Sequence, residues 1–191
     1  SVDRSTGTLL LVIPPVIELA GSGYALDGDF ANNLRAYLRS FSHVTVACPA
    51  IPQSPHNGLV KTIPLSTIED RERLTFIPLP YTYREDRHLL HYLRTRNILR
   101  EEVQKADYLL FSPHAVFDWA TLAAKIAIST GRSFDMEADG DGYNISRLQI
   151  SKMPFGLKKV RQILLAEHYK RVYLNCLSKS SVALLQGQEV F

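Results

Sequence analysis

Blocks of apolar residues alternate with amphipathic stretches along this chain. Over 8–13 the sequence runs Thr-Leu-Leu-Leu-Val-Ile without a polar break after Thr8. Such a run predicts a strand buried on both faces, as central strands of parallel sheets are. The period then changes. Phe30, Leu34, Tyr37, Leu38 and Phe41 fall three and four apart, which predicts a helix over 28–41 with one apolar face. A second strand is predicted over 43–48, closed by Pro49, and the Pro/Ser/Asn-rich stretch 50–64 reads as loop. A strand over 74–79 leads to a long helix over 84–105, whose Leu89, Leu90, Leu93, Ile98 and Val103 are available to a core. The remaining elements are a strand over 107–112, a helix over 117–130 ended by Gly131, a short strand over 133–137, a helix over 156–176 and a strand over 181–185.

Strands that alternate with helices pair in parallel through right-handed crossovers. The predicted fold class is therefore α/β: a doubly wound, mainly parallel sheet with helices on both faces. Ligands of such sheets bind outside the carboxyl ends of the strands. Four segments are expected there: 14–27, 49–63, 113–118 and 138–144. The first holds Gly21-Ser22-Gly23-Tyr24 and leads through Asp27 into the first helix. A strand, a glycine loop and a helix N-terminus can together present bare backbone N–H groups to a phosphate or a sugar.

Composition narrows the picture only a little. The 191 residues suit one α/β domain, and 46% hydrophobic with 21% charged residues is ordinary for a globular chain. A net charge of +3 gives no argument for nucleic acid. Cys48 and Cys176 stand far apart in apolar settings, which favours buried thiols in a reducing compartment over a disulfide. No apolar run reaches the ~20 residues that span a bilayer. The cytoplasm is the expected setting.

The strand-end segments carry the candidate chemistry. The glycines of 21–25 do not make a dinucleotide fingerprint: they begin well after the strand, the third glycine is missing, and the second strand ends in Ala47-Cys48-Pro49 with no acid for a ribose. They serve either as a turn that needs positive φ or as a substrate floor of Gly21, Ser22 and Gly23 beside Tyr24 and Asp27. His114 closes Ser112-Pro113-His114 at a strand end, where it can hydrogen-bond a sugar hydroxyl or cap the next helix. The acids of 135–141 cluster densely. A calcium loop starting at Glu137 lacks the required Asp at its first position and has Leu148 at its twelfth. Asp139-Gly-Asp141 alone is too short to argue for a metal. No metal is expected; the acids line a polar cleft, with Glu137 and Asp139 as candidate substrate contacts. His88 and His91 lack a third ligand and sit among arginines, which reads as a solvated basic face. Lys152, Lys158, Lys159 and Arg161, set among Met153, Phe155 and Leu157, form an amphipathic basic segment compatible with peripheral contact at the inner membrane.

With these elements placed, the chain resembles the N-terminal, acceptor-side domain of GT-B glycosyltransferases of the family 4 (group 1) type. The resemblance rests on the 8–13 strand with its Gly21-Ser22-Gly23 loop and following helix, on Ser112-Pro113-His114, and on the tail from Cys176 to Gly187. It implies a Rossmann-like domain that binds a glycan or lipid-linked acceptor. It further implies a second domain that holds most of a nucleotide sugar, and chemistry with no metal or other cofactor. Under that resemblance Gly21 and Gly23 would approach the donor diphosphate and acceptor, and His114 would contact the transferred sugar as the catalytic residue. The family's donor-site glutamate pair is absent here, and a two-domain enzyme needs roughly twice this length. The expectation is an acceptor domain cut from a longer enzyme and inactive alone. The competing expectation is a free-standing, flavodoxin-like binding or regulatory domain for a phosphorylated ligand or a protein.

Overall fold

The computed structural model of the chain describes residues 7–14, 17–20, 23–52, 62–81, 85–114, 117–139 and 142–186. The apolar run forms β1 (Thr8–Val12), and its alternate side chains serve two cores. Leu9 and Leu11 pack on one face of the sheet with Phe30, Ala31, Leu34 and Leu38 of α1 (Gly28–Ser40). Leu10 and Val12 pack on the other face. This two-sided burial is what an uninterrupted apolar strand requires.

β4 (His43–Pro52) pairs in parallel with β1, and β6 (Leu74–Pro80) pairs in parallel with β4 on its far side. The chain then returns through α2 (Glu85–Lys105) to β7 (Tyr108–Phe111), which pairs with β1. It proceeds through α3 (Trp119–Ser129) to β8 (Asp135–Asp139), and through α4 (Gly142–Ser151) and α5 (Leu157–Lys179) to β9 (Ala183–Gln186). Six parallel strands thus run in the order β6-β4-β1-β7-β8-β9. Outward travel to β6 uses α1 on one face. Return travel uses α2, α3 and α5, whose Leu99, Val103, Trp119, Ala123, Tyr169 and Cys176 share the other core. A switch of face with the switch of direction is what right-handed crossovers demand, and the fold is the doubly wound, Rossmann-like one.

Three local expectations differ from the structure. The segment 14–27 is not simply loop. It contains β2 (Ile17–Ala20) and β3 (Gly23–Asp27), which pair antiparallel, and β3 pairs antiparallel with β5 (Thr62–Pro64). β2 also pairs with the end of β4, so β4 runs past Pro49 to Pro52. Pro49 is tolerated because the pairing of β4 with β1 stops at Ala47 and that with β2 starts at Ala50. Its missing N–H falls in the gap between those two ladders. Second, 142–151 is a helix: Tyr143 and Ile150 of α4 bury against Ala166 of α5. Third, α2 is rotated from the face its leucines suggest. Leu89, Leu90 and Leu93 are exposed, while His88, Thr95, Leu99 and Val103 are buried at spacings of seven, four and four.

Gly131 does end α3. Its φ is +66°, the Gly131 N–H donates to the Ile128 carbonyl at 3.2 Å, and the Arg132 N–H donates to the Ala127 carbonyl at 2.9 Å. These two bonds make a Schellman motif. Both cysteines are buried and unpaired with each other, and burial pushes the Cys176 thiol up to about 11. No helix among the described residues is long and apolar enough to cross a membrane.

Candidate functional site

Travel along the sheet reverses between β1 and β7, so the crevice rule for open α/β sheets points at their carboxyl ends. A cleft opens there, lined by Ile13 and Pro14 after β1, by Pro49 of β4, and by Phe117, Asp118, Trp119 and Ala120 at the start of α3. It is shallow and open to solvent, with enclosed room for about one water molecule.

Asp118 organises one wall. Its buried carboxylate caps α3: Oδ1 accepts the Thr121 N–H at 2.6 Å, and Oδ2 accepts the backbone N–H of His114. One side chain therefore closes the turn from 114 to 118 and satisfies a helix N-terminus. The cap of α3 is Asp118 and not His114. The His114 side chain is left exposed at the end of β7.

Trp119 fixes the helix to the sheet. Its indole Nε1 donates to the Pro80 carbonyl at 2.8 Å, at the end of β6. His88 of α2 stacks on the indole with centroids 4.1 Å apart and lies 5.6 Å from the Phe117 ring. This corrects the reading of His88 as part of a solvated basic face. Burial, aided by Lys125, holds its pKa below the usual histidine value against a backbone hydrogen bond at Phe117. Nδ1 of His88 is buried without a hydrogen-bond partner.

The acids of β8 lie on the other side of β7, outside the lining of this cleft. Register pairs Phe111 with Met136, so Ser112 stands beside Glu137, and the Ser112 hydroxyl donates to Glu137 Oε2 at 3.4 Å. Glu137 is half-buried, and its charge is the second cause, after burial, of the raised pKa of Tyr37 on α1. The backbone of Asp139 pairs with Gln186 at the end of β8; its side chain is outside the described residues. Among the described residues no group of three or more His, Cys, Asp and Glu could hold a metal ion.

The glycine segment is placed differently from the acids. Gly21 and Ser22 lie outside the described residues. Gly23 opens β3 opposite Ala20, and four further strand residues separate it from the start of α1. Tyr24 packs its ring 5.5 Å from Phe76 over the α1-side core. Asp27 ends β3 opposite Thr62, directly before α1, and its side chain is not described. The structure thus brings Ser112 and Glu137 together across β7 and β8, leaves His114 exposed just after β7, and sets Tyr24 against β6. Asp118 and Trp119 were missed by the motif reading. Their signal was an acid directly before the apolar-periodic helix, the usual mark of an N-cap.

No protein-family model matches the chain. No curated protein matches it. Several solved structures resemble its fold. A short-chain dehydrogenase/reductase (wide type) from Veillonella parvula, in complex with NADP, aligns with a TM-score of 0.45 at 12% identity over 94% of this chain and 68% of that one. A UDP-glucosyltransferase from Polygonum tinctorium capable of glucosylating indoxyl, in complex with 3,4-dichloroaniline, aligns with a TM-score of 0.46 at 15% identity over 98% of this chain. The chain spans 48% of the length of that glucosyltransferase. The C-terminal domain of a hydrogenase from Pyrococcus furiosus aligns with a TM-score of 0.39 at 12% identity over 71% of this chain and 95% of that one. These likenesses are likenesses of fold.

Proposed function

We propose that this chain is the acceptor-binding half of a glycosyltransferase, which moves a sugar from a nucleotide sugar to a glycan or lipid-linked acceptor. The observation that carries this reading is at the carboxyl ends beside the switch between β1 and β7, where His114 is exposed just after β7 and the half-buried Glu137 of neighbouring β8 accepts from the Ser112 hydroxyl. An imidazole and a carboxylate at neighbouring strand ends supply hydrogen-bond donors and acceptors for sugar hydroxyls. The Asp118 cap holds the backbone of that histidine while leaving its ring available. Gly21, Ser22, Gly23, Tyr24, Asp27 and Asp139 extend the same proposal to the surrounding acceptor contacts. The nucleotide sugar is held mainly by a second domain facing this one, and no cofactor takes part. In this reading the protein works in the cytoplasm.

The test measures nucleoside diphosphate release from a panel of nucleotide sugars, with this chain alone and with the complete coding sequence. Release is expected only from the longer protein. In that protein His114→Ala is expected to lower kcat by roughly a hundredfold, the scale of losing one positioned acid–base group. Turnover by the chain alone would end the half-enzyme reading. An unchanged kcat in the His114 variant would remove His114 from the chemistry. Tight binding of a phosphorylated small molecule without any turnover in either form would support the flavodoxin-like alternative instead.

A further inference from the structure

The turn between α4 and α5 carries the two barest large apolar residues among those described. Phe155 is 92% exposed and Leu157 is 91% exposed, although both are large apolar residues. Apolar side chains this bare, set side by side, mark a surface that is covered by something else. From 142 to 179 the chain carries eight Lys and Arg but one acid, Glu167. That acid is already engaged, accepting the Tyr143 hydroxyl. The turn is also built rigidly. Nζ of Lys159 donates to the carbonyls of Ser151 and Met153 at 3.3 and 3.0 Å, tying the start of α5 to the end of α4. Lys152 and Lys158 flank the two apolar residues and are exposed.

We propose that this elbow docks the protein on an anionic lipid surface, with Phe155 and Leu157 entering the headgroup–acyl boundary while Lys152 and Lys158 meet the phosphates. The charge pattern chooses this occupant. A lipid surface offers what a cationic rim with an apolar tip needs: negative headgroups above hydrocarbon, in one continuous plane. The tip protrudes from a turn and so can enter without unfolding any helix. This inference goes beyond the transfer reading and stands without it.

The experiment sediments the protein with vesicles of phosphatidylcholine alone and of phosphatidylcholine mixed with phosphatidylglycerol. Binding is expected to the mixed vesicles only, and to weaken with added salt as screening shortens the reach of the charges. Lys152→Gln with Lys158→Gln is expected to lower partitioning by about fivefold for each cation removed. Phe155→Ser with Leu157→Ser should abolish stable binding while leaving thermal unfolding unchanged, since neither side chain is packed. A Phe155→Trp variant adds a direct readout: its emission shifts to the blue with mixed vesicles and not with neutral ones. Equal binding to both vesicle types, or no shift at Phe155→Trp, overturns the proposal. Self-association in the ultracentrifuge that disappears with Phe155→Ser, without vesicle binding, assigns the elbow to a second copy and overturns it too.

Discussion

His88 stacks on Trp119 with ring centroids 4.1 Å apart and planes inclined by 20°. The pair joins α2 to α3 just beneath the strand-end cleft, and Trp119 in turn holds the Pro80 carbonyl at the end of β6. Three elements from different parts of the chain are thereby fixed around one indole, so the cleft wall depends on a contact between two aromatic rings.

That contact makes stability sensitive to acid. Burial lowers the His88 pKa in the fold, so the folded state resists a proton that the unfolded chain accepts below its usual value of about 6.5. The contribution is complete above that value. It is lost as pH falls through it, at up to about 1.4 kcal/mol per pH unit, until the folded histidine also protonates. His88→Phe keeps the stack and removes the titration. Urea unfolding between neutral and mildly acidic pH should show a shallower acid slope in that variant, and equal slopes would show that His88 does not carry the effect.

The Asp118 carboxylate should be worth more than an ordinary surface acid. It accepts backbone N–H groups from Thr121 and His114 and is itself buried. Asp118→Ala leaves both donors without that acceptor, and a loss of about 2 kcal/mol is expected from the N-cap alone. Asp118→Asn keeps an acceptor oxygen and should recover part of the loss. A chemical-denaturation series on the two variants decides this, and equal stabilities would refute the capping role.

The rotation of α2 predicts a contrast between leucines that look alike in sequence. Leu99 is fully buried, and Leu99→Ala should cost roughly 2–5 kcal/mol. Leu89, Leu90 and Leu93 are 73%, 78% and 72% exposed, and replacing any one by Ser should change stability by less than about 0.5 kcal/mol. Comparable losses at Leu90 and Leu99 would mean that the exposed face of α2 is covered in the folded protein.

Particular residues explain what was legible in the amino-acid order. The architecture was readable from β1, where consecutive apolar residues can be satisfied only by cover on both faces. The core face of α2 was not, because its stripe is spelled by His88, Tyr92 and Thr95 as much as by Leu99 and Val103. A period count that weights leucine alone rotates the helix. β2 and β3 escaped notice because strands of four and five residues, separated by Gly21 and Ser22, carry strong turn signals and weak pairing signals. Strand-end placement nominated His114 and Glu137, and the structure leaves the first exposed after β7 and the second half-buried on β8. Asp118 acts through a backbone bond made across the turn, which only the folded chain brings together.

Gly131 offers a test of how the far end of α3 supports the near one. Its φ of +66° lies where side chains are strained, yet a Cβ placed there would meet nothing within 4 Å. Any penalty of Gly131→Ala therefore comes from backbone conformation alone, about 1 kcal/mol. Gly131→Asn should cost less, because asparagine tolerates the left-handed region better. His114, Asp118 and Trp119 all lie at or before the opposite end of the helix. If α3 acts as a rigid post between its Schellman motif and its cap, both substitutions lower the unfolding midpoint and leave hydrogen exchange at the Thr121 amide slow. Fast exchange at Thr121 in Gly131→Ala, under conditions where the protein stays folded, would show instead that the two ends of the helix loosen together.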